Sequence, residues 1–187
     1  KSGFTGTEGP IGLPDGSLIF TETQANRITR IDAGNQTSTF LDNTNGSNGL
    51  GFDSKGRLIS VQTTPGKTLI GVIYPKGQEA TLTDNYDGKP FGRPNDLVVG
   101  KNGGIYFTDP GLRVPLAERE VPHAGVYRIA PDSAMSLVAD CEYPNGLAFS
   151  PDERVLYVAN TRWAQYIHAL ELDSAGRLLR RRIFADM

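Results

Sequence analysis

The chain has 187 residues, 38% of them hydrophobic and 21% charged, and a net charge of −2. This size and balance support a single globular domain with a real core, spanning residues 1–187, and exclude a disordered chain. The near-neutral charge argues against nucleic acid or an anionic membrane as a partner, and no apolar run approaches the roughly 18 residues of a spanning helix. The N-terminus, KSGFTGTEGP, has no signal-peptide pattern. That leaves the compartment open, because a signal could already have been removed. Cys141 is the only cysteine, so no intramolecular disulfide can form.

Twenty-two Gly and twelve Pro cut the chain into short segments in which apolar and polar residues alternate, the period of a half-buried strand. Leu18-Ile19-Phe20 follows the turn Pro14-Asp15-Gly16, and Lys55-Gly56 marks a second turn. Further along, residues 96–99, 104–108, 124–129 and 135–139 read as four strands, with Asn102-Gly103-Gly104 as a turn. Residues 146–149, 155–159, 165–172 and 177–184 repeat the scheme around Pro151-Asp152. No stretch of a dozen residues carries a capped helical stripe, so the chain reads as all-β.

Four stretches align without a gap: EGPIGLPDGSLIF from Glu8, NGLGFDSKGRLIS from Asn48, NDLVVGKNGGIYF from Asn95 and NGLAFSPDERVLY from Asn145. Spacings of 40, 47 and 50 residues mark a repeat architecture. Four strands in about 45 residues is the size of a propeller blade. The polar residue that opens each repeat is expected just before the innermost strand, at the mouth of a central channel. Glu and Asn converging there would make a ring of oxygen ligands lining a polar channel. The competing reading is that each Asn only caps its own turn. The Gly that follows three of these anchors fits a close approach to an ion, and fits a plain tight turn equally well.

Glu8-Gly9-Pro10 with its PDG turn, YDGKPFGRPNDLVV with IYFTDPG, and YPNGLAFSPDERVLYVANT resemble the SMP-30/gluconolactonase/luciferin-regenerating-enzyme family over nearly the whole chain. The resemblance implies a six-bladed β-propeller, of which this chain would cover about four blades. It also implies a lactonase using one divalent cation, foremost Ca2+, with Zn2+, Mg2+ or Mn2+ as alternatives. By the same resemblance Glu8, Asn95 and Asn145 are metal ligands, with Asn48 a less certain one, and Arg93 and Asn95 contact a small-molecule lactone. By the resemblance the family's acid/base Asp would fall just beyond Met187, so the catalytic residue is expected outside these 187 residues, the sequence reads as incomplete, and the 187 residues alone are expected to be inactive. A non-catalytic propeller that binds a sugar acid or a protein partner is the alternative.

Other residues carry weaker signals. Asp109, at the end of a second strand, is a candidate substrate contact. Asp96 is either a partner to the anchor beside it or a turn-stabilising Asp. Residues 111–123 are longer than a hairpin needs and end at His123, a loop that could overlie the channel. His168, Tyr143 and Trp163 read as packing residues, and Arg180-Arg181-Arg182 as a solvated outer strand. No nucleophile elbow and no His/Cys cluster for zinc is present.

Overall fold

The computed structural model describes residues 2–111, 124–162 and 164–186, and within them every regular element is a strand. Two compact units divide the chain, Lys1–Thr83 and Asp84–Met187. The first contains two four-stranded sheets. One is β1 (Thr7–Gly12), β2 (Leu18–Glu22), β3 (Arg27–Ile31) and β4 (Thr37–Asp42). The other is β5 (Ser47–Phe52), β6 (Leu58–Gln62), β7 (Leu69–Tyr74) and β8 (Ala80–Thr83).

The second unit opens with a short hairpin, β9 (Asn85–Tyr86) and β10 (Lys89–Pro90). Two more sheets follow: β11 (Leu97–Val99), β12 (Ile105–Asp109), β13 (Gly125–Ile129) and β14 (Met135–Asp140), then β15 (Pro144–Phe149), β16 (Val155–Asn160), β17 (Tyr166–Leu172) and β18 (Leu178–Asp186). In every sheet each strand pairs antiparallel with the next in the chain, the meander of a propeller blade. The strands expected in the third and fourth blades match these bounds to within about two residues.

Local chemistry explains the hairpins. Asp53 accepts hydrogen bonds from the N–H groups of Lys55 and Arg57, both at 2.9 Å, and Gly56 takes φ +73°. Asp173 does the same for Ala175 and Arg177, with Gly176 at φ +79°. In both turns the Arg four residues on closes an ion pair back to the Asp, at 2.7 and 2.8 Å. An Asx turn followed by a left-handed residue is the preferred device for such connections.

The fourth repeat departs from the gapless alignment. Phe52 pairs with Leu58, whereas Phe149 pairs with Leu156, one residue further round the turn. Glu153 supplies the left-handed residue there, at φ +55°. Val158 rather than Tyr157 therefore occupies the place of Ser60, since Leu50 pairs with Ser60 and Leu147 with Val158.

Within each unit the blades pack face to face. Ile19 and Ile28 of the first blade meet Leu50 and Leu58 of the second in one buried cluster. In the second unit Tyr106, Val126, Val138 and Ala139 meet Leu156, Val158, Leu170 and Leu172. The second strands β6 and β12 are buried along both faces, not half-buried as their alternation suggests.

Gly9 shows how closely the first two blades approach. Its φ is +51°, and a Cβ added there would lie 2.5 Å from the carbonyl oxygen of Asn48. The small residue after the first anchor thus makes room for the backbone of the next blade. Gly146, by contrast, has no left-handed φ, and its nearest such neighbour is an Asp96 oxygen at 3.7 Å. Gly9→Ala is therefore expected to destabilise the protein by about 2 kcal/mol or more through strain and collision, and Gly146→Ala by much less. Urea denaturation of the two variants checks this ordering.

Candidate metal and substrate site

The four anchors occupy one recurring place, but mostly inside the strand rather than just before it. Glu8 lies in β1, Asn48 in β5 and Asn145 in β15, while Asn95 precedes β11. The pairing register shifts between Glu8 and Ile11, between Ser47 and Leu50, and between Pro144 and Leu147. Each shift is a β-bulge, which inserts one residue and re-aims a side chain out of the regular alternation. That is how a polar anchor can sit in a strand that otherwise serves the core.

The anchor side chains are available. Asn48, Asn95 and Asn145 are half-buried, and their amides have no hydrogen-bond partner among the described residues. Other asparagines behave differently. The Asn26 side chain accepts from Gly46 N–H at 2.8 Å, and that of Asn102 accepts from Gly104 N–H at 3.0 Å. Turn capping, the competing reading, describes those residues and not the anchors. Glu8 reaches solvent on one side, yet desolvation by its neighbours pushes its carboxyl above the ordinary 4.5. Among the described residues it has no ion pair to offset that cost. A carboxylate and amide oxygens left without partners fit a hard divalent cation. No group of three or more His, Cys, Asp or Glu suited to a metal occurs among the described residues, so the donor set rests on amides.

Glu8 and Asn48 belong to the first unit; Arg93, Asn95, Asp109 and Asn145 belong to the second. Arg93 is exposed. Asp109 is fully buried, and its carboxylate accepts from the backbone N–H groups of Gly92, Arg93 and Gly111, each at 2.8 Å. It therefore fixes the strand approach that carries Arg93 and Asn95. Asp96 accepts from Leu97 N–H at 2.9 Å and faces Leu147 N–H at 3.4 Å, so it also reaches the segment beside Asn145.

Asp109 is one of a set that the repeat alignment could have revealed. Glu22, Gln62 and Asp109 each stand 14 residues after their anchor, and Asn160 stands 15 after Asn145 because of the longer turn. All four are buried, and each grips the chain just ahead of its anchor. Glu22 accepts from Thr5 N–H at 3.2 Å, Gln62 from the Asn45 amide at 3.1 Å, and Asn160 from Tyr143 N–H at 2.6 Å. The signal was a polar residue closing an otherwise apolar second strand in every repeat.

Glu22 also accepts from Arg27 at 2.7 Å and from the Thr29 hydroxyl. Foremost through the Arg27 bond, its carboxyl is held below the ordinary 4.5. A depressed carboxyl contributes stability that is present above its ordinary range and lost as pH falls through the folded value. Thermal melts between about pH 6 and pH 3 are accordingly expected to show a steeper fall for the wild type than for Glu22→Gln.

The remaining candidates resolve simply. Burial pushes the Cys141 thiol up to about 12, which leaves it unreactive. His168 is buried in β17, and desolvation first, then Arg181, holds its imidazole below the ordinary 6.5. Tyr143 is buried with Arg162 over its ring, 5.0 Å from the centroid. Arg180, Arg181 and Arg182 lie exposed on β18. His123, most of the 111–123 loop and Trp163 lie outside the described residues.

Comparison with known proteins shows the family. A gluconolactonase of Zymomonas mobilis is 34% identical across 91% of this chain and 53% of its own length. Lactonase drp35 of Staphylococcus aureus is 35% identical across 44% of the chain and 24% of its own length. A solved gluconolactonase structure from Xanthomonas campestris superposes with a TM-score of 0.87 at 36% identity, covering 98% of this chain and 64% of that one. The chain thus spans about half the length of the curated gluconolactonase it matches. The family described as SMP-30/Gluconolactonase/LRE-like region matches residues 6–187, and the chain belongs to that family.

Proposed function

We propose that the protein hydrolyses a sugar lactone of the gluconolactone kind with the help of one divalent cation, foremost Ca2+, and that Asn95 and Asn145 of the second unit, and Glu8 of the first, serve as its ligands. The observation that carries this reading is the state of the anchors. Asn95 and Asn145 present amides with no partner among the described residues, and Glu8 presents a carboxyl whose desolvation nothing offsets. A bound cation supplies Lewis-acid polarisation of the lactone carbonyl and stabilises charge developing on its oxygen. Arg93, exposed beside Asn95, orients the hydroxyl-bearing ring, and the buried Asp109 holds the Arg93 and Asn95 backbone in place.

Glu8 is the only carboxylate among the four anchors. A carboxylate committed as a ligand is a weak general base, so the proton from water goes to a different carboxylate. The direct test is hydrolysis of glucono-δ-lactone by the protein as its gene encodes it, followed by pH-stat. Activity lost in EDTA and regained with Ca2+ is expected. Binding of the corresponding sugar acid without turnover would move the protein to the non-catalytic alternative.

A further inference from the structure

Thr108 connects the two amide anchors of the second unit. It is fully buried at the end of β12. Its carbonyl accepts from Asn95 N–H at 2.8 Å, and its own N–H donates to Asp96 at 3.0 Å. Its hydroxyl accepts from Asp96 N–H at 3.1 Å and donates to the carbonyl of Asn145, in the next blade, at 2.7 Å. One side chain thus uses its donor and an acceptor site to join the backbones that carry Asn95 and Asn145.

The first unit repeats the device. Thr21, fully buried at the equivalent place, pairs with Glu8 across the β1–β2 ladder. Its hydroxyl donates to the carbonyl of Asn48 at 3.1 Å. The second and fourth blades carry Val61 and Ala159 at this place, with no hydroxyl to offer. The hydroxyl therefore appears where an anchor of one blade is tied to an anchor of the next within a unit, and a small apolar residue stands at this place in the other two blades.

We propose that Thr108 is a positioning residue for the lactonase site, setting the spacing between the Asn95 and Asn145 amides through the Asn145 carbonyl. This rests on the reading of Asn95 and Asn145 as cation ligands. Bulged strands are locally free of the regular ladder, so a bulge that must present a ligand needs a separate tie, and the Thr108 hydroxyl is that tie. Valine keeps the shape and loses both hydroxyl bonds; serine keeps the bonds.

Calcium titration calorimetry on the full chain, for the wild type, Thr108→Val, Thr108→Ser and Asn145→Ala, tests it. Thr108→Val is expected to weaken Ca2+ binding by about tenfold or more, with Thr108→Ser within a few-fold of wild type and far-UV circular dichroism unchanged. Adding Thr108→Val to Asn145→Ala is expected to cause no further loss, because Thr108 acts through Asn145. Equal Ca2+ affinity in Thr108→Val and wild type, or additive losses in the double variant, overturns the positioning role alone. Absence of Ca2+ binding by the wild type overturns the functional reading and the positioning role with it. Should Thr108→Val not fold, Thr108→Ala takes its place and is read against the same outcomes.

Discussion

Glu8→Gln is expected to lower kcat/KM for a sugar lactone by on the order of a hundredfold or more, with the fold intact. The change keeps size and one oxygen but removes the only charge among the four anchors. A divalent cation bound by neutral amides and water alone is held weakly, because hard cations depend on carboxylate charge for affinity. Stability should move in the opposite direction. Desolvation pushes the Glu8 carboxyl up, so the charged form is a local strain on the cation-free protein. In EDTA the Gln variant is expected to melt at or slightly above wild type, and in Ca2+ below it. Steady-state kinetics with paired melts separates this from simple misfolding, which would lower both melting temperatures.

Asp109→Ala is expected to have the largest effect on stability. Its carboxylate satisfies three backbone N–H groups, and the residue is fully buried. Each buried donor left unmade costs roughly 1–3 kcal/mol. Water entering the space left by the side chain recovers part of that, so a net loss of about 3–5 kcal/mol is expected. For a chain of this size the loss corresponds to a fall in Tm of roughly 6–20 °C. Asp109→Asn keeps one acceptor oxygen but turns an amide N–H toward a backbone donor, and about half the loss is expected. A substrate-contacting Asp would instead give a KM change at unaltered Tm, so differential scanning calorimetry distinguishes the two roles.

Most of the architecture was readable because the signals are local and repeated. Gly56 and Gly176 sit at left-handed turn positions behind Asp53 and Asp173, so the hairpins announced themselves. The bulges at Glu8, Asn48 and Asn145 were hidden, since a bulge shifts alternation by one residue without a compositional mark. The extra residue near Glu153 was hidden for a related reason. A gapless alignment of the fourth repeat still superposes plausible apolar residues, and only the pairing of Leu147 with Val158 reveals the slip.

The candidate site was legible as residue types and not as roles. Glu8, Asn95 and Asn145 stood out because one place in the repeat is polar four times. Asp109 stood out for the same chemical reason, yet its oxygens serve backbone N–H groups that no residue pattern displays. Thr21 and Thr108 gave no signal, because threonine is an ordinary strand residue and its hydroxyl partners lie in the next blade.

Turnover of glucono-δ-lactone as a function of free Ca2+, compared between wild type and Asn145→Ala, tests the central claim most directly. The account predicts a saturable activation curve for the wild type and a shift to at least about tenfold higher Ca2+ for the variant. Turnover independent of Ca2+, or superimposable curves, would contradict it.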